Sequence, residues 1–162
     1  MGFLVTVIWN LCSGLYALRP SPVNQAISQQ ARRSRLMARI RSTDTRPELM
    51  LRKALWRAGL RFRLKPRLPG KPDLAFPGAR VALFVDGCFW HGCPLHGHLP
   101  KSNLGYWKPK LARNLVRDRQ VNAAILELGW MPLRIWEHEI ALDLPACVAR
   151  VVEAVQLRSG NL

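Results

Sequence analysis

Acidic residues are scarce in this chain. Its 162 residues include 10 Asp and Glu against 25 Lys and Arg, which gives a formal net charge of +15. No run of five like charges occurs, so the excess charge belongs to a folded surface rather than to a disordered basic tail. Such a surface favours a polyanionic partner, either nucleic acid or an acidic membrane. A basic protein without a polyanionic partner is the alternative.

Long apolar runs are also few. Residues 1–18 are uncharged, but no basic segment precedes them, and Asn10 and Ser13 interrupt a stretch that is short for a membrane span. We therefore expect residues 1–25 to be a non-core extension, arising from a start assigned too far upstream, with a membrane anchor as the alternative. The rest of the length predicts one domain over 26–158, a short tail over 159–162 and no stable membrane association.

The four cysteines favour metal ligation or free thiols over disulfides, because the composition is of an intracellular type. The spacing Cys88-x4-Cys93-x2-His96 places three soft or borderline ligands in one loop. His138, on the next predicted strand, can complete a tetrahedral Zn²⁺ site. His98 is an alternative to His96, and two free cysteines are an alternative to the site itself.

Hydrophobic periodicity alternates between the helical and the extended type. It predicts a helix over about 45–58, a short strand over 60–64, a hairpin of strands over 73–76 and 80–87, a helix over about 107–128, a strand over 131–139 and a helix over 143–158. Thr45 and Glu48 have the spacing of a capping box. Asp143 is the expected N-cap of the closing helix, in which Cys147 is a buried small residue. This order predicts an α/β fold with a mixed sheet flanked by helices.

Three carboxylates are expected near the hairpin. Asp73 and Asp86 flank it, and Glu48 comes from the preceding helix. Magnesium prefers oxygen ligands and usually keeps several waters. Acidic groups inside a basic protein are what metal-assisted phosphodiester cleavage requires, because the metal neutralises developing charge and activates water. The alternative for Asp73 is a turn residue that follows Pro72.

Aromatic side chains stand among the cations. Phe89 and Trp90 adjoin a predicted zinc ligand and cannot both easily turn into the core, while Trp107 lies among lysines. Rings interleaved with cations are typical of stacking on bases beside a phosphate track. Inward packing is the alternative for Trp107. Candidate contacts to the DNA backbone, which a solvated basic face would resemble, are Arg39, Arg41, Lys101 and Asn114.

Several segments, in order, resemble the very-short-patch-repair (Vsr) DNA mismatch endonuclease family. They are SRLMARIRSTDTRPELMLRKALWRAGLRFR, LPGKPDLAFPGARVALFVDGCFWHGCPLH, PKSN…YW, RNLVRDRQ and LGWMPLRIWEHE, and the resemblance runs from about residue 27 to about residue 157. The resemblance implies a restriction-endonuclease-like core of the PD-(D/E)XK type. It also implies a nick in one DNA strand beside a T:G mismatch, which starts repair of deaminated 5-methylcytosine.

The resemblance also implies roles for individual residues. Asp73 matches the metal-binding aspartate, the backbone carbonyl of Val85 is a second metal contact, and Glu48 matches the acid that organises the metal's waters. His91 matches the imidazole that activates water or assists proton transfer, a role suited to histidine at neutral pH; a surface histidine is the alternative. Asp86 departs from the pattern, since the best-known form of the family has histidine there. It either adds a metal ligand or orients His91.

The remaining implications concern cofactors and partners. The Cys–His loop and the WE strand would hold a structural zinc, and the rings of Phe89, Trp90 and Trp107 would push between base pairs beside the mismatch. Mg²⁺ would be the catalytic cofactor and double-stranded DNA with a T:G mismatch the substrate. We expect a monomer in the cytoplasm, associated with the nucleoid, and mismatch-repair proteins are candidate partners. The alternatives are a restriction-linked endonuclease of the same fold and a non-catalytic zinc-containing DNA-binding module.

Overall fold

A computed structural model of the chain describes residues 31–32, 35 and 43–160. Two compact units divide the chain, residues 1–40 and 41–162. In the first unit, the described residues Ala31, Arg32 and Arg35 are helical. The predicted extension over 1–25 and the candidate DNA contacts Arg39 and Arg41 lie outside the described residues, as do residues 161–162.

The second unit contains one mixed sheet with helices around it. Its elements are α1 (Arg46–Arg57), β1 (Arg63–Leu64), β2 (Leu74–Phe76), β3 (Val81–Asp86), α2 (Leu104–Glu127), β4 (Met131–Trp136), α3 (Glu137–Leu142) and α4 (Leu144–Ser159). The strands lie in the order β1-β2-β3-β4, with β1, β2 and β3 antiparallel and β4 parallel to β3. The predicted mixed α/β architecture is confirmed. No helix in the described ranges is long and apolar enough to cross a membrane.

The predicted hairpin is formed by β2 and β3. A short 3-10 turn over Pro77–Ala79 joins the strands, and Arg80 adopts a left-handed conformation after it. The pairing of Leu74 with Leu83 continues one step further, because the Asp73 amide donates to the Leu83 carbonyl at 2.9 Å. Asp73 therefore lies immediately before β2, beside the last residues of β3.

The two faces of the sheet pack against different helices. Side chains alternate along each strand, so Leu83 and Ile135 lie in the larger core with residues of α1 and α4. Phe84 packs on the opposite face against Ile125 of α2. Since β3 and β4 are parallel, they need a crossover connection, and α2 supplies it. Asp86 and Arg134 share the α2 face.

The expected strand over 131–139 is too long. β4 ends at Trp136, and the next six residues form α3. The reason is local: the Glu139 carboxylate accepts a hydrogen bond from the Trp136 amide at 2.8 Å, which satisfies a donor at the helix start. His138 is therefore on a helix rather than on the strand where the sequence pattern placed it.

Other boundaries also differ from the prediction. The strand expected over 60–64 is reduced to the two residues of β1, and the long helix begins at Leu104 rather than near residue 107. The capping box at α1 does not form, because the Thr45 hydroxyl donates to the Glu48 carboxylate at 2.9 Å instead of capping the helix. The N-cap role of Asp143 and the burial of Cys147 are confirmed.

Candidate active site

Asp73 is a half-buried carboxylate immediately before the start of β2. Its Oδ2 accepts a hydrogen bond from the Val85 amide at 2.8 Å. Burial raises the pKa of Asp73 from 3.8 to about 6, although the Val85 hydrogen bond and the charge of Arg52 lower it. The negative charges of Glu48 and Asp86 raise the pKa further. The negative charges of Asp73, Glu48 and Asp86 therefore interact at this position.

Glu48 is held by hydrogen-bond donors from α1 and from the residues just before it. It is only 4% exposed and accepts hydrogen bonds from the Asp44 amide at 2.8 Å, the Thr45 hydroxyl at 2.9 Å and Arg52 Nη2 at 2.9 Å. Arg52 also pairs with Asp44. Because a buried carboxylate without partners would be costly, these donors explain why Glu48 remains in the interior beside the sheet.

The oxygen atoms around Asp73 suit a hard divalent cation. In a β-strand the N–H and the C=O of one residue point to the same edge, so the Val85 carbonyl faces the Asp73 side, as its amide does. The Asp73 carboxylate and one backbone carbonyl form the kind of incomplete oxygen set that Mg²⁺ completes with water, and the Glu48 carboxylate acts on Asp73 through its charge. A bound cation would also relieve the like-charge interaction that contributes to the raised pKa of Asp73.

His91 is oriented chiefly by Asp118, a residue of α2. His91 Nδ1 lies 2.7 Å from Asp118 Oδ2 and 3.8 Å from Asp86 Oδ1, so only the first contact has hydrogen-bond length. If Nδ1 carries the proton that Asp118 accepts, Nε2 is the basic nitrogen of the ring. Asp86, which the sequence predicted as a metal ligand or as a residue that orients His91, is buried against Arg134.

The Asp86–Arg134 pair is a charge-assisted contact across neighbouring strands. Asp86 is 3% exposed, and Arg134 Nη1 donates to its two oxygens at 2.8 and 2.7 Å. The guanidinium compensates the buried carboxylate, so any metal at Asp86 would have to compete with a cation already present. Asp86, the residue that departs from the family pattern, is therefore paired with the positive charge of Arg134.

Cys88, Cys93, His96 and His138 form one cluster of potential metal ligands. One donor atom from each lies within 4.8 Å of all the others. His138 Nδ1 is 3.1 Å from Cys88 Sγ and 3.6 Å from Cys93 Sγ, and Cys93 Sγ is 3.8 Å from His96 Nδ1. A tetrahedral zinc site with ordinary bond lengths has ligand atoms about 3.3–3.8 Å apart. The donor set and its spacing can therefore hold a metal ion.

The loop around the cluster is tightly folded. The Gly97 amide donates to the Cys93 carbonyl at 2.7 Å, and a Cβ on Gly97 would lie only 2.4 Å from that oxygen, so this turn requires glycine. His98 Nδ1 lies 3.2 Å from the His96 carbonyl, and the four-residue cluster includes His96 but not His98. The Cys88 amide donates to Glu137 at 2.7 Å, which ties the loop to α3.

The two thiols of the cluster differ in acidity. Burial raises the pKa of Cys88 to about 11. Burial acts in the same direction on Cys93, but hydrogen bonds from the backbone of His96 and Leu95 outweigh it and lower the pKa of Cys93. Because the thiolate is the ligand form, metal binding at this cluster would release protons.

Phe89, Trp90 and Trp107 form an aromatic cluster beside the metal ligands. The Phe89 ring lies 5.0 Å from the Trp90 ring and 5.3 Å from the Trp107 ring, in edge-to-face geometry, and Trp90 is 5.9 Å from Trp107. All three are partly exposed. Lys110 Nζ lies 5.7 Å from the centre of the Trp90 ring. The structure thus brings together rings that lie on a loop and on the first turn of α2.

The two described candidates for backbone contact have different environments. Lys101 is exposed in the loop before α2. Asn114 donates from Nδ2 to the Trp90 carbonyl at 3.0 Å, and its Oδ1 accepts from Arg117 at 3.2 Å. Asn114 therefore supports the backbone of the aromatic cluster, a role that its sequence position did not indicate.

Sequence reasoning missed Asp118, Arg134 and Glu137 as members of this region. Asp118 stands between arginines in a helix of a chain with only 10 acidic residues, so its presence there was a usable signal. Arg134 interrupts the apolar run of β4, which is a second signal. Neither signal names a partner, because the partners lie on other elements.

Comparisons with known proteins identify relatives along most of the chain. Residues 25–96 match the family DNA mismatch endonuclease Vsr. The chain is 45% identical over 149 residues to Type II nicking enzyme V.NaeI of Lentzea aerocolonigenes, an alignment that covers 88% of this chain and 82% of that protein. It is 48% identical over 123 residues to Type II nicking enzyme V.XorIIP of Xanthomonas oryzae pv. oryzae, covering 74% and 89%. It is 36% identical over 117 residues to DNA mismatch endonuclease Vsr of Escherichia coli (strain K12), covering 68% and 72%.

Proposed function

The chain belongs to the Vsr family of DNA endonucleases, and from this premise we propose that it nicks one strand of double-stranded DNA beside a T:G mismatch, with Mg²⁺ as the catalytic metal. One observation carries the proposal. The end of β3 and the loop after it carry Val85, whose amide bonds Asp73, together with His91, Phe89 and Trp90, so the groups proposed for metal binding, proton transfer and base stacking are close in sequence. The PD-(D/E)XK assignment of the core belongs to the same proposal, as does a single nuclease domain over 26–158.

The carboxylates supply the metal-binding part of the reaction. Asp73 and the Val85 carbonyl would hold Mg²⁺ directly, and Glu48 would hold its waters. When bound there, the ion supplies charge neutralisation on the phosphate and a more acidic water. Glu48 can serve this role without moving, because its donors already fix its carboxylate.

His91 supplies the proton acceptor. Asp118 holds Nδ1, so Nε2 takes a proton from water as the water oxygen bonds to phosphorus, and the Asp118 carboxylate stabilises the imidazolium that forms. The phosphorus–oxygen bond to one sugar of the nicked strand breaks, and the leaving oxygen takes a proton from solvent water. The position of the imidazole depends on the loop that carries Cys88 and Cys93. A structural zinc in the Cys₂His₂ cluster, with no open coordination position, would hold this loop against α3.

The aromatic cluster supplies the preference for a mismatch. Its rings are partly exposed and lie next to Lys110, and Asn114 donates a hydrogen bond to the backbone carbonyl of Trp90. Inserting rings between base pairs costs a few kcal/mol per unstacked step, and the cost is lowest where pairing is already weak. The cluster would therefore enter a T:G site more readily than a paired one. Two of the relatives are nicking enzymes, which supports single-strand cleavage, and a third is a mismatch endonuclease, which supports mismatch specificity.

Labelled duplexes that contain T:G, T:A or C:G at one position, incubated with and without Mg²⁺, test the proposed function. We expect one strand to be cut beside the mismatch, only in the T:G duplex and only with Mg²⁺. Equal cutting of all three duplexes would instead indicate a restriction-linked endonuclease of the same fold. Binding without any cutting would indicate a DNA-binding module and would overturn the enzymatic proposal.

Replacing Trp90 with alanine should reduce mismatch preference more than stability. We expect the ratio of nicking rates on T:G and T:A duplexes to fall about tenfold, since inserting one ring between base pairs involves a free energy of a few kcal/mol at most. Trp90 is only half-buried, so thermal unfolding should shift by no more than a few degrees. Single-turnover nicking of both duplexes measures the ratio.

Trp56→Ala is the matched control for this prediction. Trp56 is 55% exposed and stacks on Arg61 at 3.9 Å, away from the aromatic cluster. Its loss should leave the T:G to T:A ratio unchanged. If Trp90→Ala unfolds the protein while the folded fraction keeps full mismatch preference, Trp90 is a packing residue and its proposed insertion between base pairs is wrong.

A further inference from the structure

Arg134 lies on the α2 face of the sheet, and each nitrogen of its guanidinium group contacts a neighbouring side chain. Nη1 donates to both oxygens of Asp86, Nη2 lies 3.3 Å from Asp118 Oδ1, and Nε donates to Asn122 Oδ1 at 3.1 Å. The guanidinium carbon lies 4.7 Å from the centre of the Phe84 ring. One side chain of β4 thereby connects β3 and α2, the two elements that lead to His91.

This connection is shielded from solvent. The side chains of Arg134, Asp118 and Asp86 are 20%, 17% and 5% exposed. Charge–charge interactions at such depth are stronger and less screened by salt than those at the surface. The guanidinium is also planar, so its several donors fix the orientation of both carboxylates together.

The two oxygens of the Asp118 carboxylate have different partners. Its Oδ1 faces Arg134, while its Oδ2 is the atom that contacts His91 Nδ1 at 2.7 Å. Asp86 Oδ1 lies 3.8 Å from the same imidazole nitrogen and is engaged by Arg134. Without the guanidinium, two carboxylates could compete for one imidazole nitrogen, and the ring would have two orientations in place of one.

We propose that Arg134 is a positioning residue for the nicking reaction, because it turns Asp118 towards His91 and holds Asp86 away from it. This inference rests on the proposed function and extends it to a residue on β4. Arg134 acts through His91, and it does not touch DNA in this scheme. Its loss should therefore affect the rate of the chemical step and leave DNA affinity alone.

Arg134→Gln tests the inference, with Arg150→Gln as the matched control. Arg150 also pairs with a carboxylate, Glu139 at 2.7 Å, and it contacts the Arg134 carbonyl at 3.3 Å, but it lies outside the site. Misplaced reacting groups cost on the order of a hundredfold. We expect Arg134→Gln to lower the single-turnover nicking rate by about 10- to 100-fold, with the Kd for T:G DNA within about twofold of the wild type. Arg150→Gln should change neither quantity.

Two further variants separate positioning from folding. In a His91→Ala background, Arg134→Gln should cause less than about a threefold additional loss, because residues that act as a unit are not additive. Asp86→Asn combined with Arg134→Gln removes both buried charges, so it should restore thermal stability; the nicking rate should recover only in part, because the competing carboxylate is gone but Asp118 still lacks the guanidinium. Arg134→Lys should recover only part of the rate, since an ammonium lacks the planar fork.

The outcomes distinguish the inference from the proposed function. If the wild type does not nick T:G DNA, the proposed function fails and the role of Arg134 fails with it. If the wild type nicks and Arg134→Gln nicks equally fast, only the inference is overturned. The inference is also overturned if Arg134→Gln causes the same loss with and without His91, or if it lowers DNA affinity as much as rate.

Discussion

Asp73→Asn should lower Mg²⁺-dependent nicking by at least about a thousandfold while DNA binding persists. The metal supplies several kcal/mol of charge stabilisation to a phosphoryl-transfer transition state. At about 1.4 kcal/mol for each factor of ten, the loss of a direct ligand reaches this size. The asparagine oxygen can still accept the Val85 hydrogen bond, so the local fold should survive. Single-turnover nicking and fluorescence anisotropy measure the two quantities.

The same substitution should stabilise the metal-free protein at neutral pH. Burial raises the pKa of Asp73 to about 6, so the folded state disfavours the charged carboxylate relative to the unfolded state. This penalty is absent below the unfolded pKa of 3.8 and complete above about 6. The melting temperature of Asp73→Asn should therefore exceed that of the wild type by about 5 °C at pH 7.5, which corresponds to about 2 kcal/mol, and by little at pH 4.

Asp143→Asn is the matched control for both effects. Asp143 caps α4 through the Ala146 amide at 2.9 Å, and asparagine caps helices about as well as aspartate. It should leave nicking and the pH dependence of stability unchanged. Retention of wild-type nicking by Asp73→Asn would remove Asp73 from the metal site, and an equal loss in Asp143→Asn would show that the assay reports folding.

Cys88→Ser should remove zinc and lower the melting temperature by about 10 °C. Loss of a structural metal is among the few single changes that cost several kcal/mol, and each kcal/mol shifts the melting temperature of a chain of this size by about 2–4 °C. Purified wild-type protein should contain about one zinc per chain by elemental analysis, as a four-ligand site requires. Nicking should fall as well, because His91, Phe89 and Trp90 lie on the loop that the metal would hold.

Cys147→Ala provides the comparison for this second prediction. Cys147 is also a buried free cysteine, 2% exposed, but it packs in α4 outside the cluster. It should keep one zinc per chain and normal nicking, with at most a small loss of stability. Full zinc occupancy in both Cys88→Ser and His138→Ala would disprove the cluster, and a stoichiometric metal other than zinc would disprove the identity of the ion.

The parts of the fold that depend on residues close together in the sequence could be predicted. The hairpin follows from two apolar runs around a Pro-Gly turn, and it places Asp73 beside Val85. The grouping of Cys88, Cys93 and His96 follows from their spacing in one loop. The helical position of His138 was missed, because one carboxylate, Glu139, decides where β4 ends.

The network around Arg134 depends on long-range pairing and could not be predicted. Arg134 and Asp86 are 48 residues apart, and Arg134 and Asp118 are 16 apart. The parallel register that sets Phe84 beside Arg134 and Asp86 beside Trp136 brings them together. A sequence pattern shows that a charge lies within an apolar strand, but only the register of the two strands shows which partners it meets.

The parallel pair β3–β4 ends at Asp86 and Trp136, and the ligand cluster lies two residues beyond each of these ends, at Cys88 and His138. Strand termini ordinarily fray, and their amides exchange with solvent sooner than those in the middle of a ladder. A metal ion bound by this cluster would join the two strands just past their last paired residues and reverse that gradient, so the carboxyl end of the pair would become its least flexible part. An enzyme that must hold its reacting atoms to fractions of an ångström gains from having its anchor there.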